Sequence, residues 1–111
     1  MEFYPVTSWE GLAEGSFRIL EPTDTRCGVV PGNTTVVCVP GIAFSNHGDR
    51  IGMGKGYYDR YLSRYPQLYK IGLAYELQME YSWTPDVCDI AMDLLITEIR
   101  EVQIDERKGI M

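Results

Sequence analysis

The run VVCV at Val36–Val39 does most to limit the folds open to this chain. Four consecutive apolar residues without polar alternation match a strand buried on both faces, as in a parallel sheet covered by helices. Pro40-Gly41 then forces the chain out of regular pairing. IAFSNHGDRIG reads as a small excursion turning at Asn46-His47-Gly48-Asp49. In YYDRYLSRYPQ, either Tyr58, Leu62 and Tyr65 or Tyr57, Tyr61 and Leu62 share a helical face, and Pro66 stops the helix. KIGLAYE is a second apolar strand. MDLLITEIREV holds a third, Leu94 to Ile99, and a hydrophilic tail follows. Strand, loop, helix, strand in this order predicts an α/β unit with parallel pairing.

The N-terminal third is less patterned. MEFYPV reads as a short strand with Pro5 at an edge. TSWEGLAEG reads as a loop or short helical turn, capped by Ser8 and ended by Gly15. SFRILEPT is a short extended piece, and Thr23 to Asn33 is rich in turns. With 111 residues and no linker or repeat, residues 1–111 are read as one domain.

Charge and cysteine content narrow the function classes. A net charge of −6 argues against general nucleic-acid binding, which needs a basic face. No apolar run approaches the length of a membrane span, and MEFYPVTSWEG lacks the basic start and apolar core of a signal peptide. The expected compartment is the cytoplasm. Cys27, Cys38 and Cys88 form no CxxC pair and read as ordinary thiols. Asn33-Thr34-Thr35 matches a glycosylation sequon but reads as a polar turn after Pro31-Gly32.

Against this acidic background RIGMGKGYYDR, residues 50 to 60, stands out. Gly52, Gly54 and Gly56 have no Cβ, so each can take positive φ and let main-chain N–H groups converge. The helix that follows adds unbonded N–H groups and the positive end of its dipole. Arg50 and Lys55 add full charges, and together these features form an anion cradle of the kind that holds phosphate. The pattern alone is weakly specific, and its spacing fits neither the dinucleotide fingerprint nor the Walker loop. Asp59 admits two readings, a magnesium ligand shared with phosphate or a first-turn acid favoured by the helix dipole.

The stretch VPGIAFSNHGDRIGMGKGYYDRYL resembles the signature of the 5-formyltetrahydrofolate cyclo-ligase family, also called methenyltetrahydrofolate synthetase. Pro40, Gly41, Phe44, Arg50, Gly52, Gly54, Gly56, Tyr57, Tyr58 and Asp59 carry the resemblance. ILEP at 19–22, IGLAYELQ at 71–78 and TPDVCDIAMDLLITE at 84–98 are similar to its flanking segments. The resemblance covers the C-terminal portion of the family pattern and implies a three-layer Rossmann-like unit with a mostly parallel sheet, lacking the N-terminal elements.

The reaction it implies converts 5-formyltetrahydrofolate to 5,10-methenyltetrahydrofolate with ATP and magnesium. Arg50 and Lys55 are then the catalytic cations. Arg50, Ile51, Gly52, Met53, Gly54, Lys55, Gly56, Tyr57 and Tyr58 would hold ATP. Met53, Gly54, Lys55, Gly56 and Tyr57 would face the reduced folate, and Asp59 and Asp89 would hold magnesium, with Asp93 ranked below Asp89. Taken singly, Asp89 is an ordinary loop acid, the tyrosines core packing and Met53 a gap filler. His47 reads as a solvated turn residue, and Trp9 and Trp83 as packing.

Three functions stay open: a folate ligase completed by other elements, a non-catalytic nucleotide- or phosphate-binding module, and an interaction protein that kept the motif unused. The missing elements predict a homo-oligomer or a complementing N-terminal chain.

Overall fold

The computed structural model describes residues 1–15, 20–26, 28–52, 56–80 and 90–104. The chain divides into two compact units, Met1–Pro31 and Gly32–Met111.

In the first unit a 3-10 turn, Trp9–Gly11, runs into β1 (Leu12–Glu14), which pairs antiparallel with β2 (Leu20–Pro22). Thr23 fastens the hairpin to the turn: its N–H and its hydroxyl both donate to the Gly11 carbonyl, at 2.9 and 3.2 Å. Three expectations change here. Residues 1–6 form no strand; Pro5 has no N–H for a ladder, and Phe3 accepts a bond from Val29 N–H (2.7 Å) between two loop segments. The turn ends at Gly11, not Gly15, and Ser8 stands at its N-cap without a side-chain capping bond. Beyond it the chain is extended rather than looped, as β1.

The second unit carries the main sheet. Parallel strands β3 (Val36–Val39), β6 (Tyr69–Leu73) and β8 (Leu94–Ile96) lie in that order, and β9 (Glu101–Gln103) closes the sheet antiparallel to β8. The α/β class with a mostly parallel sheet is thus present. β4 (Ala43–Ser45) pairs antiparallel with β5 (Arg50–Ile51) and parallel with β7 (Met79–Glu80) in a smaller sheet. Helix α1 (Tyr57–Arg64) follows, with Tyr61 and Leu62 buried and Tyr57 half in solvent. The two expected helical faces overlap at Leu62, and the observed buried side takes Tyr61 from one of them.

The sheet register sorts side chains cleanly. One face carries Val37, Val39 and Leu95, all at 7% exposure or less. Phe44, fully buried, lies on this side against Gly72: a Cβ there would stand 2.7 Å from both Phe44 Cε1 and Leu95 Cδ2. Glycine at 72 therefore leaves the volume that the Phe44 ring fills, and burying such a ring stabilises by about 1.5–3 kcal/mol.

The continuous run at Val36–Val39 is not buried on both faces. Val37 and Val39 are covered while Val36 is 52% exposed and Cys38 is exposed and free. The physical reason is packing on one side: the face of Val37 and Val39 is the one that Phe44 and Leu95 fill, while on the other face Leu73 of the interior strand β6 is also 48% exposed.

The third strand stops at Ile96 rather than Ile99. Thr97 turns the chain: its N–H donates to Arg100 C=O (2.8 Å) and its Oγ1 accepts from the N–H groups of Ile99 (3.3 Å) and Arg100 (3.1 Å). What reads as hydrophilic tail begins with β9. No helix among the described residues is long and apolar enough to cross a membrane.

Candidate functional site

Ligands in open α/β sheets settle at the carboxyl ends of the strands. Here β3 ends at Val39 and the chain leaves through Pro40-Gly41. The β4–β5 hairpin then brings Arg50 back beside that exit. The hairpin is tied by buried Ser45, whose N–H donates to Asp49 C=O (2.9 Å) and whose Oγ accepts from the N–H groups of His47 and Asp49 (both 3.2 Å). Gly48, at φ +88°, supplies the left-handed residue the turn needs; a Cβ there would also stand 2.8 Å from the Met92 carbonyl.

Arg50 is the centre of the site. Its side chain is 5% exposed. Nη1 donates to the Pro40 carbonyl at 3.0 Å, Nη2 lies 3.6 Å from Asp59 Oδ1, and the guanidinium carbon sits 5.4 Å from the Tyr58 ring centroid. The buried Nε has no hydrogen-bond partner. Buried Arg is ordinarily fully satisfied, so an orphan donor here leaves capacity for one more acceptor. Burial pushes the Tyr58 hydroxyl pKa up, and the Arg50 charge partly offsets this.

Two glycines owe their identity to close neighbours rather than to positive φ. A Cβ on Gly41 would stand 2.9 Å from both Arg50 Cγ and Phe44 Cζ and 3.1 Å from the Ile51 carbonyl oxygen, and one on Gly52 would stand 2.8 Å from Arg50 Nη1 and 3.2 Å from Nη2. The expectation that each loop glycine takes positive φ holds at Gly56, at φ +69°, and not at Gly52. Gly56 occupies the N-cap of α1 in the left-handed region, and its carbonyl accepts the first helical bond from Arg60 N–H (3.0 Å). The leading N–H groups of α1 thus open beside Arg50 and Asp59.

Gln78 braces the floor. Its Nε2 donates to the carbonyls of Gly41 (2.9 Å) and Ile42 (3.3 Å), while its Oε1 accepts Tyr75 N–H (2.8 Å). Sequence reading passed over Gln78, because nothing local marks a residue whose partner lies more than thirty positions away, as Gly41 does; it also passed over Ser45, whose partners His47 and Asp49 lie within the turn already read there.

The named site residues separate as follows. Arg50, Gly52, Gly56, Tyr58 and Asp59 converge. Ile51 is partly exposed and its carbonyl is taken by Ile42 N–H (2.7 Å). Tyr57 projects outward with the Arg60 guanidinium 5.4 Å from its ring centroid. Met53, Gly54, Lys55 and Asp89 lie outside the described residues. Asp93 sits near the starts of the strands, where its Oδ2 accepts Lys70 N–H (2.8 Å) and pairs with Lys70 Nζ (3.2 Å). It fastens β6 to β8 and is not part of the site. His47 is an exposed turn residue.

Among the described residues there is no group of three His, Cys, Asp or Glu side chains able to hold a metal. Of the described residues brought together at the site, Asp59 offers the carboxylate, and its side chain is 28% exposed. A magnesium ion held by one or two carboxylates plus phosphate oxygens needs no larger cluster.

A second polar cluster spans other strand ends. Arg100 Nε and Nη2 both reach Glu76 Oε1, at 2.8 and 2.7 Å, and Glu76 N–H donates to Glu98 Oε1 at 2.7 Å. The Arg100 bond holds the Glu76 carboxyl below the usual glutamate range.

Comparison with known proteins bears on this geometry. The model of the 5-formyltetrahydrofolate cyclo-ligase family matches residues 1–98. A 5-formyltetrahydrofolate cyclo-ligase from Mycoplasma genitalium is 43% identical over 67 residues, covering 60% of this chain and 40% of that protein. A mitochondrial 5-formyltetrahydrofolate cyclo-ligase from Arabidopsis thaliana is 30% identical over 126 residues, 96% of this chain and 46% of that protein. The NMR structure of 5,10-methenyltetrahydrofolate synthetase from Aquifex aeolicus superposes with a TM-score of 0.72 at 38% identity, covering 89% of this chain and 50% of that one. The chain spans about half the length of the relatives it matches.

Proposed function

The chain belongs to the 5-formyltetrahydrofolate cyclo-ligase family, and from that premise we propose that the Arg50 site holds the phosphates of ATP beside a reduced folate, for magnesium-dependent conversion of 5-formyltetrahydrofolate to 5,10-methenyltetrahydrofolate. The observation that carries the reading is Arg50 itself. A side chain 5% exposed, with Nη1 on a carbonyl and Nε unbonded, is an arginine set in advance and not yet saturated. A buried charge is costly unless every donor finds an acceptor, and a phosphate oxygen is the acceptor that matches.

In this reading the leading N–H groups of α1 and the main chain at Gly52 and Gly56 face the phosphates. Lys55 adds the second cation. Asp59, with Oδ1 3.6 Å from Arg50 Nη2, would hold magnesium, with Asp89 as the second acid. Tyr57, exposed at the rim, and Met53 stand on the folate side. When bound, ATP supplies the phosphoryl group that activates the formyl oxygen. The protein's part is to position that group and neutralise its charge, which is most of what phosphoryl transfer asks.

Because the chain spans about half the length of its relatives, the proposed working form includes further polypeptide, either a second copy or a complementing chain. The proposed compartment is the cytoplasm, where the exposed free thiol of Cys38 stays reduced. The same half-length coverage favours a second reading, in which the chain by itself binds nucleotide without turnover. Mixing the chain with ATP, magnesium and 5-formyltetrahydrofolate separates the two. A growing methenyltetrahydrofolate absorbance supports the ligase, nucleotide binding without it supports the binding module, and neither defeats both.

A further inference from the structure

A second arginine stands at the amino end of α1. Arg60 is exposed, and its guanidinium lies over the Tyr57 ring, 5.4 Å from the centroid. Helical side chains lean toward the amino end, so Arg60, whose N–H bonds the Gly56 carbonyl, reaches back over the first turn. A Cβ on Gly56 would stand 3.3 Å from Arg60 Nη1. Arg50 shows the matching arrangement at Gly52. Its guanidinium lies over the Tyr58 ring, and a Cβ on Gly52 would stand 2.8 Å from its Nη1. One guanidinium thus stands at each of these two glycines, carried on consecutive tyrosines.

The electrostatics of Arg60 ask for an anion. The dipole makes the first turn of a helix positive, so a cation folded back onto it is disfavoured unless negative charge joins it. The acid of that turn, Asp59, already faces Arg50 Nη2 at 3.6 Å. No carboxylate among the described residues pairs with Arg60, whereas Arg26 and Arg100 are closed on Asp24 and Glu76. A guanidinium stacked on a ring uses its face and keeps its edge N–H donors for an acceptor in its plane. The same end of α1 holds the second sign of a ligand, the buried and unbonded Nε of Arg50.

We propose that Arg60 is a specificity residue of the Arg50 site and binds the further phosphate groups of a polyphosphate chain whose terminal group sits at Arg50. The inference rests on the phosphate reading of Arg50 given above and adds the ligand class, linked phosphates in preference to a lone one. A single phosphate occupies the Arg50 donor and the leading N–H groups of α1. A linked group reaches on to the second guanidinium, which as a planar fork suits phosphate oxygens. The Tyr57 ring carries Arg60 on one face and keeps the other toward the folate.

The test titrates the full chain, in the presence of magnesium, with two probes, inorganic phosphate and inorganic tripolyphosphate, and follows amide chemical shifts. The proposal expects Arg60→Gln to weaken tripolyphosphate about tenfold and to leave phosphate within about twofold. Circular dichroism and the thermal transition stay in place, because Arg60 is exposed. Arg60→Lys keeps the charge without the fork and recovers part of the loss. Arg50→Met weakens both probes. Tripolyphosphate binding that Arg60→Gln leaves unchanged overturns the proposal. So does an equal loss for both probes, which marks Arg60 as a support of the helix and not a contact. In either case sensitivity of both probes to Arg50→Met leaves the Arg50 reading standing. A chain that binds neither probe removes that reading, and this inference with it.

Discussion

Gly52→Ala tests whether the glycine-rich loop exists to accommodate Arg50. The added Cβ would stand 2.8 Å from Nη1, 3.2 Å from Nη2 and 3.3 Å from Cζ. Relief to ordinary contact requires a shift of more than about half an ångström. An exposed arginine would swing aside at little cost. Arg50 is 5% exposed and anchored by its bond to Pro40, so the shift breaks the anchor. A hydrogen bond from a charged donor contributes about 1.5–3 kcal/mol. The looser pair with Asp59 at 3.6 Å and the Tyr58 contact each add under about 1 kcal/mol. Against this, alanine lowers the entropy of the unfolded chain by an amount equivalent to about 0.4–1 kcal/mol.

The expected net loss is about 1.5–3 kcal/mol, read by urea unfolding. The decisive arm is a double-mutant cycle with Arg50→Met. Methionine retains the aliphatic stem and lacks the three atoms the new Cβ meets. In that background Gly52→Ala costs less than about 0.5 kcal/mol or is mildly stabilising. Equal costs in both backgrounds would show that Gly52 answers to something other than the guanidinium, and the account of the loop would fail.

Gly56→Ala places a Cβ at φ +69° and costs about 1–2 kcal/mol in unfolding experiments, with less of α1 formed by circular dichroism. Leu95→Ala empties a site at zero exposure on the covered sheet face, and the expected loss in denaturant titration is about 2–5 kcal/mol. Glu76 has its folded pKa lowered by the Arg100 bond, so its contribution to stability is full above the ordinary glutamate range and disappears as pH falls through the lowered value. Arg100→Met returns the Glu76 carboxyl titration, followed by NMR, to the ordinary range and flattens that part of the acid-stability profile; an unchanged midpoint would refute the pairing.

Much of the second unit is readable from its residues. β3, β6 and β8 are apolar runs bounded by breakers, and α1 is framed by Gly56 and Pro66. These signals are local, and local signals survive into the fold. β1 and β9 are not readable in this way. LAE and EVQ are three-residue strands that owe their form to partners, β2 and β8, and short mixed segments carry no period of their own. The covering of β3 on one face alone depends on where Phe44 and Leu95 pack, which no property of VVCV encodes.

The candidate site divides along the same line. Arg50, the glycines and Asp59 announce an anion site by residue type. That Arg50 is buried, that it rests on Pro40 and that Gly52 makes room for it are tertiary facts. Asp93 shows the reverse case: an acid among signature-like neighbours whose partner, Lys70, lies 23 residues away at the other end of the strands.

The measurement closest to the central claim is an amide chemical-shift titration of the chain with magnesium-ATP. The account predicts saturable shifts concentrated at Gly52, Gly56, Tyr57 and Tyr58, strongly reduced in Arg50→Met. Shifts absent at millimolar nucleotide, or scattered over β8 and β9 and indifferent to Arg50→Met, would contradict it.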